Sequence, residues 1–302
     1  MSNSKPSLFE AAVLLLAAGI MVYQLAVPPL IGLADTGDFE RLFSYSGLAH
    51  ISTKYEEKYF LHFNSKYKII PRSTGRPYYV TSTLPLVRAA RWLSIRMGDG
   101  QTFDIRVLAG IYGVIHLFGI WLFLFAARAF TAVSRVILSV LLILMFTDVG
   151  YVSCFNSFYS EPTALVFLAV GIACSAILIV GKSSGVALLV GYFLAVAMVV
   201  TSKPMYAPLA LVFGGFGIYL CRYLRHKRRY WLAGGLTILL CGFGAWIYDR
   251  TPQAFRVDAV YIQLFMDLLP NSRTPEQDLV DIGLNPEFAA FRGTTPYQSD
   301  TL

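Results

Sequence analysis

The sequence predicts an all-α polytopic integral membrane protein: a bundle of about seven spans with a long first extracytoplasmic loop carrying juxtamembrane helices. Three observations lead there. The chain of 302 residues is 56% hydrophobic and only 14% charged, where a soluble domain carries about 25% charged residues; its mean hydropathy is +0.58. Apolar windows suited to spans recur near 8–31, 105–127, 134–150, 162–180, 185–201, 207–221 and 231–247. The basic residues of the short connections also fall on one side. With Lys5 and the N-terminus in the cytoplasm, Arg128 with Arg135, then Lys182, then Arg222 through Arg229 all lie inside, as the positive-inside rule requires. The net charge of +7 is therefore read as orientation in a membrane, and no nucleic-acid partner is expected.

Taken in order, the first apolar run is long enough at ~1.5 Å per residue to cross a ~30 Å hydrocarbon core. It exceeds the ~7–15 residues of a cleavable signal core, so it reads as a retained helix. The loop at 32–104 is long enough to be translocated whatever its charge. Within it, Phe39 to Leu48 suits a short interfacial helix. Thr83 to Met97 reads as an amphipathic surface helix, with Leu84, Val87, Ala90 and Leu93 apolar, Arg88, Arg91 and Arg96 charged, and Pro85 in the first turn. Gly214-Gly215-Phe216-Gly217 lies mid-span and reads as close helix packing. The run Arg222 to Arg229 reads as a topological anchor, with anionic lipid headgroups as an alternative ligand. Cys154, Cys174, Cys221 and Cys241 have no metal-ligand spacing and read as small buried hydrophobes. The organisation is thus a transmembrane module at 1–248 and an extracytoplasmic segment at 249–302, punctuated by Asn271, Pro275, Gly283, Pro286 and Gly293. That segment ends without an obvious closing element, and a reading of the chain as an N-terminal fragment stays open.

In this orientation three polar features gather on the outer face: the pair Asp35 and Asp38, the stretch Asn156-Ser157-Phe158-Tyr159-Ser160-Glu161-Pro162, and Thr201-Ser202-Lys203-Pro204. Carboxylates and a lysine on one face suit proton transfer and binding of an anionic substrate. Each also has a structural reading. Asp38 can cap the helix beginning at Phe39, Asp35 can be a solvated turn residue, Ser160 and Glu161 can start the next span, and Lys203 can snorkel. The segment with Lys66, Lys68, Arg72, Arg76, Tyr78 and Tyr79 reads either as a phosphate-holding patch or as a solvated loop. His50 and His62 read as surface residues, and His116 as packing within a span.

Asp38-Phe39-Glu40-Arg41-Leu42 resembles the acidic motif Asp-Glu-x-Arg/His-Tyr/Phe at the start of the first external loop in GT-C glycosyltransferases, with the second acid displaced to Glu40. Glu161 ahead of a span and Lys203-Pro204 after another are similar to later elements of that plan. More narrowly, Gly37-Asp38-Phe39-x-Arg41, Phe158 to Pro162, Ser202-Lys203-Pro204 and the tail from Leu269 to Leu284 resemble bacterial glycan-biosynthesis hexose transferases of the WsfD-like kind. The resemblance implies a GT-C-type bundle in a bacterial cytoplasmic membrane with an extracytoplasmic active site. It implies an inverting hexosyltransferase that takes a polyprenyl-phosphate-linked sugar donor and a glycan or lipid-linked acceptor, surrounded by membrane lipid. Asp38, Asp35 and Glu161 are then the expected catalytic residues, and Lys203, Arg41, Arg72, Arg76 and Tyr159 the expected substrate-binding residues. No firm cofactor is implied, and a divalent cation shared by Glu161 and the aspartates stays open. A flippase or transporter of lipid-linked glycan, which would place ionisable groups at the bilayer midplane, and a non-catalytic envelope-assembly scaffold are the alternatives.

Overall fold

A computed structural model describes residues 7–73, 80–180, 185–224, 228–253, 257 and 260–294, with the side chain of Ser44 left out. The chain is mostly helical and divides into two compact units, 1–249 and 250–302.

The first unit begins with α1, Leu8–Ala26, whose start is fixed by a capping box: the Ser7 hydroxyl accepts from the Glu10 N–H, and Glu10 accepts from the Ser7 N–H. Pro28 and Pro29 follow, and Val27 before them is extended, as a residue preceding proline prefers. The long connection to the next span holds α2 (Glu40–Ser46), a short turn α3 (Tyr55–Lys58) and α4 (Thr83–Met97). Helix α2 ends on Gly47, which adopts φ +76 and donates its N–H to Phe43 O at 2.8 Å, the usual glycine stop. Helix α4 buries Leu84, Val87 and Ala90 along one stripe and leaves Trp92 exposed.

The same connection also holds an element that the all-α expectation did not include. Strands β1 (Leu48–Ala49), β2 (Lys66–Ile69) and β3 (Thr102–Asp104) form a small antiparallel sheet in the order β1-β2-β3, with Leu48 opposite Ile69 and Tyr67 opposite Phe103. Lys66 and Lys68 stand on the outer face of β2 while Tyr67, between them, is buried. Lys66 and Lys68 of the basic and aromatic segment therefore form the solvent side of a half-buried strand.

Among the described residues, four helices are long and apolar enough to cross a membrane: α1, α5 (Ile105–Ala127), α8 (Glu161–Val180) and α11 (Arg229–Asp249). A fifth span results if α6 (Ala132–Phe146) and the segment Val149–Phe155, which opens with the short helix α7 (Val149–Val152) and is bent by 48° from α6, are counted together. Helix α9 (Val186–Val200) and the apolar stretch Leu209–Tyr223, which contains α10 (Leu209–Leu220), are shorter. The bend has an identifiable cause. Asp148 caps a new turn by accepting from the Gly150 N–H, while the carbonyls left at the end of α6 are taken by His116 Nε2 on Phe146 O at 2.8 Å and Gln24 on Thr147 O at 3.1 Å. His116 is buried, as expected of a packing residue.

Consecutive helices pack side by side. Gly214 lets α10 meet Thr237 of α11, where an added Cβ would lie 2.4 Å from that side chain, and Gly217 does the same against Phe193 of α9 at 2.3 Å. Glu10 is buried and held by Arg128 through two contacts of 2.7 and 2.6 Å and by Arg135 at 3.5 Å. This ion cluster ties the start of α1, the end of α5 and the start of α6 together at one end of the bundle. The loops at 34–39, 156–161 and 201–204 lie at the opposite end.

The second unit has its own small core, in which Leu264, Phe265, Leu269 and Leu279 pack with Phe291. Gly283, at φ +80, reverses the chain so that the Leu284 N–H returns to Leu279 O at 2.8 Å.

Candidate active site

The site is assembled from four segments that are far apart in the chain. Asn156 is completely buried and donates to Leu25 O at 3.1 Å and Ile31 O at 2.7 Å, fixing the exit of α1 against the 153–161 turn. The Tyr159 hydroxyl donates to Ala34 O at 2.9 Å and meets both the N–H and the hydroxyl of Thr36. Phe39 is fully buried, with its ring centroid 5.2 Å from Phe158 and 4.9 Å from Tyr159. The third segment enters through Thr81, Ser82 and Thr83: Thr81 donates to Ser202 O at 2.6 Å, the Ser82 hydroxyl to Met198 O at 2.7 Å, and Thr83 meets Thr163 at 3.0 Å. Each tie spans more than a loop's own length, so the three polar features are held as one platform.

On that platform Lys203 Nζ donates to Glu161 Oε1 at 2.8 Å, with 22% of the lysine side chain and 45% of the glutamate side chain exposed. Asp38 pairs with Arg41 at 2.8 Å and is 34% exposed. Asp38 and Lys203 act on one another electrostatically, as do Asp38 and Glu161, so the two ion pairs form one alternating cluster. Burial pushes the Asp38 carboxyl above the ordinary aspartate value, against the pull of Arg41 and Lys203 and with the help of Asp35 and Glu161. Burial acts to lower the Lys203 ammonium, but its hydrogen bond to Glu161 and the neighbouring acids outweigh that, so it is held above the usual lysine value.

The two aspartates have exchanged the roles that their structural readings gave them. Asp35, not Asp38, organises the start of α2. It is buried, one oxygen accepts from the N–H groups of Gly37 at 2.7 Å and Phe39 at 3.1 Å, and the other meets His50 Nε2 at 3.0 Å. With both oxygens engaged away from solvent, Asp35 shapes the turn that presents Asp38. His50 is likewise no surface residue: its side chain is 6% exposed and sits against the rings of Phe43, Tyr59 and Tyr67. A lone histidine in a polar loop carries no local signal for this, because its partner lies fifteen residues away and only the β1 turn brings them together. Glu40, the displaced acid of the motif, receives the Tyr59 hydroxyl. Tyr159 spends its hydroxyl on the 34–36 backbone, and burial pushes its phenol upward.

Of the basic residues expected around a phosphate, Arg41 and Lys203 are gathered here and Arg72 is not. Arg72 lies beside Gly47 and Arg91, at the far end of α2, about 10 Å of helix from Asp38. Arg76, Tyr78 and Tyr79 lie outside the described residues. A divalent cation also fits poorly. Among the described residues there is no group of three or more His, Cys, Asp or Glu placed to hold a metal ion, and the two available carboxylates already have Arg41 and Lys203 as counter-ions.

The sequence matches the family described as the YfdI N-terminal transmembrane domain over residues 2–302. The chain belongs to that family. It is a domain family associated with glycosyltransferase-like membrane proteins. Neither curated proteins nor solved structures yield a match. The family places the alternating charge cluster in a membrane domain, where uncompensated carboxylates are costly and the observed pairing is expected.

Proposed function

We propose that this chain is an inverting membrane glycosyltransferase of the GT-C type, moving a hexose from a polyprenyl-phosphate donor to a cell-envelope glycan or glycolipid. In this reading the site faces the outer side of a bacterial cytoplasmic membrane, the N-terminus is cytoplasmic, and α9 and the 209–223 helix complete seven spans. Residues 249–302 then form an extracytoplasmic segment. The observation that carries the proposal is the cluster Asp38–Arg41 and Glu161–Lys203: two carboxylates and two cations, partly exposed, at one end of the bundle.

A sugar leaving a polyprenyl phosphate needs two things from the protein, a base for the acceptor hydroxyl and positive charge for the departing phosphate. Asp38 supplies the first. Its oxygen takes the proton as the hydroxyl oxygen bonds to the anomeric carbon, and the bond from that carbon to the phosphate oxygen breaks on the opposite face. The electron pair leaves with polyprenyl phosphate, and Lys203 and Arg41 stabilise it. A carboxylate held above its ordinary pKa is a better base than a free aspartate. Glu161 keeps Lys203 charged and aimed, and it offers its half-exposed carboxylate to orient an acceptor hydroxyl. Asp35 acts through the turn and does not touch substrate. A membrane-embedded tail next to an exposed sugar suits a site at the end of spans.

The test is transfer by the purified full chain in detergent from a panel of polyprenyl-phosphate hexoses to envelope glycolipid acceptors. A flippase makes no product under those conditions. Asp38→Asn is expected to lower turnover by about a hundredfold or more while leaving donor binding in place. Full transfer by Asp38→Asn would remove the base assignment.

A further inference from the structure

Beside the charge cluster lies a second feature that the transfer chemistry does not use. The loop between β1 and β2 encloses a half-open groove of about 420 Å³, lined by His50, Glu57, His62, Phe63, Asn64 and Lys66 among others. That volume lies within the ~300–1,000 Å³ of ligand sites. Its walls are pre-formed: the Ser52 hydroxyl donates to Glu57 at 2.6 Å, and the Asn64 amide donates to the Glu57 carbonyl at 2.9 Å. The Phe63 ring packs onto Gly32, where an added Cβ would lie 2.2 Å from it, so the aromatic wall is seated on the backbone just after α1.

We infer that this groove binds the saccharide of the acceptor and leads it to Asp38. The inference rests on the transferase reading and names a binding surface for it. Three properties point to a neutral polyol. The lining mixes donors and acceptors, with an amide, hydroxyls, two imidazoles, an ammonium and a carboxylate, which suits hydroxyl groups that both give and take hydrogen bonds. Glu57, which pairs with Lys54 at 3.2 Å, shares the wall with Lys66, so the groove lacks the cluster of cations that a phosphate would need. Apart from the Phe63 ring and Ile51, the groove presents polar groups, unlike a channel for a prenyl chain.

Its position completes the argument. His50 lines the groove and at the same time bonds Asp35 at 3.0 Å. From Asp35, three residues of chain, at most about 11 Å, lead to Asp38. A glycan lying in the open groove therefore has an end within reach of the proposed base, while the donor phosphate is held on the Lys203 side.

A glycan array of neutral oligosaccharides, probed with the labelled full chain in nanodiscs, tests this without turnover. The chain is expected to bind at least one array member. His62→Ala combined with Asn64→Ala should weaken that binding about tenfold, and excess inorganic phosphate should not displace it. Should the double variant fail to fold, Ser65→Trp, which fills the groove, should give the same loss. Absence of any bound oligosaccharide, equal binding by the folded groove variants, or displacement by phosphate overturns the inference. Binding at the groove by a chain that shows no transfer would leave the groove standing and remove the transferase reading. Transfer that persists at full rate with the groove filled would do the reverse.

Discussion

At the scale of single residues, Asp38 costs the fold stability and is retained in a form suited to chemistry. Burial raises its pKa in the folded chain above the unfolded value of about 3.9. The folded state then holds its proton to a higher pH than the unfolded state does. Its penalty is absent below about pH 3.9, grows as pH rises toward the folded pKa, and is fully present above it. Asp38→Asn should therefore be as stable as the native chain at neutral pH, or more so, by thermal melting, even as it loses activity. Arg41 pulls the other way, so Arg41→Gln should move the acid limb of the pH–rate profile to higher pH; an unmoved limb would separate Arg41 from the base. The candidate carboxylates and Lys203 were legible in the sequence because acids and a lysine at span ends have few uses. The division of labour between Asp35 and Asp38 was not, since it depends on which aspartate points at the Gly37 and Phe39 amides. Nothing in local spacing ties His50 to Asp35.

Among the elements, legibility followed periodicity. Thr83–Met97 and Ile105–Ala127 have the bounds that the apolar pattern suggests, because each has a continuous stripe or span and a clear start at Pro85 or Asp104. The strand at Lys66–Ile69 escaped because four residues with two lysines outward look like any polar loop. The third apolar window was seen as one helix, whereas Thr147 and Asp148 break it. The glycine run reads as close packing, and the structure shows this at Gly214 and Gly217 but not at Gly215. Gly217 meets Phe193, while an added Cβ at Gly215 has nothing within 4 Å. Gly217→Ala should destabilise by about 1–3 kcal/mol through overpacking, and Gly215→Ala should stabilise by about 0.4–1 kcal/mol through the unfolded chain. Thermal denaturation in detergent reads both, and equal effects would contradict the packing.

For the whole molecule, hydropathy carries the membrane character, and the charge distribution carries an orientation that can be checked directly. In the proposed topology, cysteines introduced at Thr53 and at Met205, which is 60% exposed beside Lys203, should react with an impermeant maleimide on intact cells. One at Ala129, next to the Glu10–Arg128 cluster, should react only after permeabilisation. The reverse pattern would turn the site to the cytoplasm, where soluble nucleotide sugars would be the natural donors. How the site closes across the bundle could not be read from the sequence, because every tie joins segments distant in the chain. Thr81 and Ser202 are 121 positions apart, and Asn156 and Leu25 are 131.

That separation imposes an order on biosynthesis. As the polypeptide leaves the ribosome, the turn bearing Asp38 emerges first, and Glu161 emerges 42 positions before the lysine that neutralises it. A nascent chain halted before Lys203 carries Asp38 with its partner Arg41 but Glu161 without its counter-charge. The charge cluster is thus incomplete until that lysine has been added.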